Sequence, residues 1–328
     1  MLRKKSKTFL FTFLFFIMTA LLLAFPKESL AFSLTGLQLW FNRMVPTLLP
    51  FMILSGIMIR LNLTEHVVKI ISPFFLPLLK VSLNGIYALA IGFLCGFPMG
   101  AKVIADLYSC HKLSQKEASF LLAFCNNIGP VYFISFVLPS LRLKLIFPYL
   151  FGMYGLPLCY GIFLRYTLYK NSLPIPVSSK PVRKLKNILS AAEGASPISL
   201  LDTLDDSILS GLYSIAKLGG YMVFFNLLNL APHALLPPLP LTDTDWGAVI
   251  NCLLEITSGI SRIGSQSPLI VLLLLPFGGF SCIAQTYSMI KDTNLSLKHY
   301  IIHKLILSAI TLFYYILWFL FFPSSFLL

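Results

Sequence analysis

Gly96-Phe97-Pro98-Met99-Gly100-Ala101-Lys102 ends an apolar run that begins near Ile86. Two glycines and a proline within five residues break any helix that reaches Gly96, and a lysine follows at once. Three more stretches share this character. Cys125-Asn126-Asn127-Ile128-Gly129-Pro130 interrupts the apolar run 118–138. Glu255-Ile256-Thr257-Ser258-Gly259 lies within 246–263, and Gly278-Gly279-Phe280-Ser281, followed by Gln285, lies within 268–290. Irregular backbone at membrane depth persists only where protein covers it or water lines it. Polar groups there mark substrate or ion paths. The four breaks therefore predict a membrane transporter whose cargo meets them.

Composition supports the membrane reading. Of the 328 residues, 57% are hydrophobic and 11% charged, against roughly 25% charged in a soluble domain. Mean hydropathy is +0.83. The net charge of +13 could serve nucleic acid in a soluble protein. Here the basic residues cluster at segment ends and in one linker, as membrane topology requires, so no nucleic-acid partner is expected. The six cysteines form no CxxC pair, so neither a zinc site nor a disulfide framework is expected. His299 and His303 stand at i and i+4, but no carboxylate or cysteine completes a metal set. No nucleophile motif or phosphate loop is present. The chain is not read as an enzyme, and no cofactor is expected.

The expected fold is an all-α polytopic membrane protein of two related halves, each with a re-entrant or broken helix. Residues 1–29 read as an anchor helix, apolar over 8–25. Its basic flank resembles a signal sequence, but the apolar run exceeds a usual signal core. A first repeat covers 30–168, a basic cytoplasmic linker 169–198 and a second repeat 199–328. Within the first repeat, 30–42 reads as a helix near the interface with Trp40 as its anchor, followed by a span over 45–61. The stretch 64–80 reads as interfacial or re-entrant. In the second repeat, Asp202, Asp205 and Asp206 form the polar face of an amphipathic segment, and a span covers 218–236. Each half runs in the same order: a glycine-containing span, a short segment with a polar break, then a broken apolar run. Such paired interruptions point to a binding site between repeats, with inverted topology as one option.

The candidate binding residues come from the breaks. Glu255 is the acid inside a strongly apolar stretch, with Thr257 and Ser258 as hydroxyl neighbours and Gly259 to open the backbone. It suits a cation, a proton or cargo; a pair with Arg262 or a helix cap is the competing role. Lys102 beside Gly96, Phe97, Pro98 and Gly100 suits an anion, and a pair with Asp106 one turn on is the alternative. Asn126 and Asn127, before Gly129, carry donors and acceptors for a ligand or for neighbouring helices. Ser281 and Gln285 are read in the same way. Membrane lipid is an expected partner, and association into a homo-oligomer is left open.

These stretches together, with Leu39-Trp40 and Pro46-Thr47-Leu48-Leu49-Pro50-Phe51, resemble the sporulation integral membrane proteins of the YlbJ type, also called stage V sporulation protein SpoVV. That family is part of the nucleoside-recognition, or Gate-domain, group and is similar to concentrative nucleoside transporters. One departure is Asn127, where the family usually has a small hydroxyl residue. The resemblance implies a multi-pass protein of the outer forespore membrane that moves dipicolinate, a small aromatic dianion, from mother cell towards forespore. Lys102 and Arg262 would meet its carboxylates and Phe97 its ring. Nucleoside transport, or a non-transporting role in spore-envelope assembly, are the alternatives.

Overall fold

The computed structural model describes residues 2–141, 147–170, 197–235, 246–263 and 266–322. Among them all regular structure is helical, with no strand. Among the described residues, five helices are long and apolar enough to cross a membrane: Pro26–Arg60, Phe147–Tyr166, Leu200–Ala234, Pro268–Ile290 and Leu297–Phe321. Their outer faces expose Leu54, Phe163, Phe224, Phe280 and Leu305 among others. Apolar surface on this scale suits lipid. Most of the basic linker expected at 169–198, and the proline-rich loop near 240, lie outside the described residues.

Proline spacing shapes the long helices. A proline lacks an N–H, and its ring presses on the carbonyl four residues back. Three times the helix answers by widening one turn. Pro46 follows the π-helical Trp40–Met44, Pro139 follows Phe133–Val137, and Pro157 follows Phe151–Gly155. In each case the N–H of the residue before the proline donates to the carbonyl five residues earlier: Val45 to Trp40, Leu138 to Phe133, Leu156 to Phe151. The helices continue through these turns instead of ending.

Three expectations are corrected along these helices. Residues 30–42 are not a separate interfacial helix, because Pro26–Arg60 is continuous through the widened turn. Trp40 is no interface anchor either. Its indole N–H donates to the Ile215 carbonyl at 2.8 Å. Likewise the amphipathic segment and the span expected over 218–236 are one run, Leu200–Ala234. Its acids Asp202, Asp205 and Asp206 are exposed as expected, and Asp206 pairs with Arg60 at 2.6 Å. Pro26–Arg60 and Leu200–Ala234 thus pack side by side as the front pair of helices.

Behind them the two halves repeat one plan. Leu83–Cys95 turns at Gly96–Pro98 and returns as Met99–Ser109. The chain then enters Gln115–Leu122, unwinds over 123–129 and resumes at Pro130. In the second half Trp246–Leu254 turns at Glu255 and returns as Ile256–Ile263. Pro268–Leu274 follows, breaks at Gly278 and resumes as Gly279–Ile290. Both turns fold the chain back on itself. A Cβ on Gly259 would lie 2.5 Å from the Cys252 Cα, seven residues earlier. Phe147–Tyr166 and Leu297–Phe321 close the two halves and pack together. The stretch 64–80, expected to be interfacial or re-entrant, contains Ser72–Leu79, bent by 105° from Leu83–Cys95.

Candidate functional site

Each hairpin tip leans on the unwound backbone of the broken span that follows it. Gly96 has φ +85, and a Cβ there would strike the Gly129 amide. In the second half Gly279 has φ +78, and its Cβ would lie 3.0 Å from the Cys252 and Leu253 carbonyls. Contact of backbone on backbone at a positive φ admits only glycine. Much of the glycine pattern is therefore explained by packing. Gly100 sits against Asn126, Gly129 against Cys95 and Gly259 against Cys252. Pro98, after a cis peptide bond from Phe97, caps the returning helix Met99–Ser109.

What the tips enclose is a cavity of about 210 Å³. All four breaks reach it: Phe97 from the first, Ile128 and Gly129 from the second, Glu255 and Thr257 from the third, Gly278 and Gln285 from the fourth. The front helix completes the wall with Pro46, Thr47 and Pro50, and Met222 faces it from the second front helix. Phe51 and Val131, both largely exposed, also belong to the lining.

Glu255 is 2% exposed. One carboxylate oxygen accepts the Ser258 N–H at 2.8 Å, and the Ser258 hydroxyl donates back to the Glu255 carbonyl at 3.2 Å. The acid thus caps Ile256–Ile263 while standing in the cavity wall. Gln285 donates its amide to the Ser281 hydroxyl at 2.9 Å, which fixes its direction. Arg262 lies on the same short helix, with its side chain outside the described residues.

The other candidates lie outside the lining. Lys102 pairs with Asp106 at 3.0 Å and donates to Ser210 at 3.3 Å, which is the alternative its spacing offered. Asn126 accepts from the Ala101 N–H at 3.2 Å and donates to Thr286 and Tyr300, both at 3.0 Å. Asn127 donates to the Phe124 carbonyl at 2.6 Å. The asparagines therefore bind the broken span to its neighbours.

From the sequence alone Lys304 is assigned no role. The final helix begins at Leu297, so Lys304 lies two turns inside and is fully buried. A lysine in 300–322, a stretch with no other Lys, Arg, Asp or Glu, was the signal available. Thr47 and Tyr132 were also missed as wall residues, because the helices that carry them show no polar break at those positions.

Residues 41–141 match the family model described as Gate, nucleoside recognition. The chain is 28% identical over 335 residues to the sporulation integral membrane protein YlbJ of Bacillus subtilis (strain 168), covering 92% of this chain and 80% of that protein. No solved structure matches. The matched Gate residues hold the first hairpin, the first broken span and the cavity wall from Met44 to Phe51. The family resemblance read from the breaks is the one these matches return: an integral membrane protein similar to YlbJ, with a nucleoside-recognition Gate domain.

Proposed function

We propose that this protein is a sporulation transporter whose cargo occupies the cavity between the two hairpin tips. The observation that carries this reading is the convergence of four interrupted segments, two from each half, on that one cavity. Discontinuous helices meeting between repeats free backbone groups for a solute and provide a place about which the halves can rock. The cargo we put first is a small anion, dipicolinate, moved across the outer forespore membrane towards the forespore. Phe97 and Tyr132 offer flat faces to its ring. Thr257 and Gln285 offer hydrogen bonds to its carboxylates. Arg262 is the basic residue for the remaining charge.

A second cargo has an observation in its favour. Among the described residues the lining includes one acid and no lysine or arginine, which suits a neutral solute with hydroxyl groups, such as a nucleoside, better than a dianion. Purified protein in vesicles would be loaded with labelled dipicolinate or uridine. Dipicolinate uptake that unlabelled dipicolinate competes with, and uridine does not, is the expected result. The reverse pattern would transfer the proposal to nucleosides. If neither solute moves and spores lacking the gene hold normal dipicolinate, an assembly role takes its place.

A further inference from the structure

Lys304 presents its ammonium group to the unwound stretch between Gln115–Leu122 and Pro130. It donates to the Asn126 carbonyl and, at 2.9 Å, to the Asn127 side-chain oxygen. The Phe97 ring lies 4.8 Å from the nitrogen and the Tyr300 ring 5.6 Å. Both hydrogen-bond partners are acceptors and both rings offer π faces. Two acceptors and two π faces are the partners an ammonium takes, since it carries three donors and no acceptor. Among the described residues no carboxylate forms an ion pair with it. Carbonyl oxygens freed by an unwound helix, backed by an amide oxygen, are what broken-helix transporters offer to Na⁺.

We propose that the Lys304 ammonium is a resident cation, standing where the unwound segment would otherwise take up Na⁺. The chain then holds its first broken span without a bound metal ion. On the transporter reading above, cargo movement is independent of Na⁺ as well.

The first test needs no cargo. Melting of the purified full-length protein in detergent would be followed in sodium chloride against choline chloride of equal ionic strength. Wild type should melt at the same temperature in both. Lys304→Ala removes the ammonium and leaves room, so Na⁺ or methylammonium should raise its melting temperature by roughly 3–5 °C over choline. Lys304→Met fills the space with an apolar chain and should gain nothing. Lys304→Ser serves in the same role as the alanine variant if that variant cannot be purified. Specific stabilisation of the wild type by Na⁺ overturns the proposal by itself. So does a folded Lys304→Ala or Lys304→Ser protein indifferent to both cations, since Lys304 would then be a structural tie only. In vesicles, wild-type flux should be unchanged when choline replaces sodium. A protein that shows the cation response but moves neither dipicolinate nor uridine would sink the transporter reading and leave the resident cation standing.

Discussion

The two hairpins share one plan and differ in what their polar groups are free to do. At the first tip the neighbouring broken span is fully engaged. Asn126 holds Ala101, Thr286 and Tyr300, and Lys304 bridges Asn126 and Asn127. At the second tip Glu255 caps its own helix through Ser258 and also stands in the cavity wall. The first broken span thus spends its polar side chains on packing, whereas the second hairpin places an acid in the cavity wall. Equivalent positions in a repeat fold need not share a job: a lysine from the closing helix braces one, and an acid on the chain itself caps the other.

The hardest way to break this comparison is at the backbone contacts. Gly96→Ala drives a Cβ into the Gly129 amide at φ +85, whereas at Gly279 the nearest atoms stand 3.0 Å away. Positive φ and overpacking together cost about 3 kcal/mol at Gly96 and less at Gly279. Gly96→Ala should accumulate poorly in membranes, and Gly279→Ala should accumulate but melt lower. Equal losses would mean that the two tips are equally tight.

Glu255 tests the division of labour. Glu255→Gln keeps an acceptor for the Ser258 N–H, so its melting temperature should stay close to that of wild type. Cargo uptake in vesicles should fall by about tenfold or more, a loss near 1.4 kcal/mol. Glu255→Leu removes the cap too, and should melt lower by about 1 kcal/mol of stability. If Glu255→Gln transports normally, the acid is a cap and nothing else. Lys102→Ala is the contrasting change, because its ammonium pairs with Asp106 outside the lining. Uptake should stay within about twofold of wild type, since the buried Lys102 ammonium is taken up by Asp106 and Ser210 and does not line the cavity. A loss as large as that of Glu255→Gln would bring Lys102 back as a cargo ligand.

The order of breaks in the two halves was legible because glycine, proline and isolated polar residues leave a direct mark on an apolar background. The all-helical fold and the cavity-facing Phe97, Glu255, Thr257 and Gln285 followed from that mark. Lys304 was not legible as a partner of Asn126, because 178 residues separate them and nothing local in either segment encodes the contact. The continuity of Pro26–Arg60 was hidden for the opposite reason. Pro46 and Pro50 signal a break, and only the widened turn at Trp40–Met44 shows how the helix absorbs the first of them. Interface chemistry misled at Trp40, whose indole serves a carbonyl in the neighbouring helix.

The smallest effect sharpens how glycine is read in this chain. Gly219 and Gly220 are adjacent in one long helix and look alike in sequence. A Cβ on Gly219 would lie 2.6 Å from the Trp40 ring, while one on Gly220 meets nothing within 4 Å. Gly219→Ala should push Trp40 off the Ile215 carbonyl and lower the melting temperature. Gly220→Ala adds a methyl on an exposed helix face and reduces the backbone entropy lost on folding, so it should stabilise by about 0.5–1 kcal/mol. Opposite shifts from neighbouring glycines would show that the close approach of the two front helices, not glycine content itself, is what the position beside Trp40 selects.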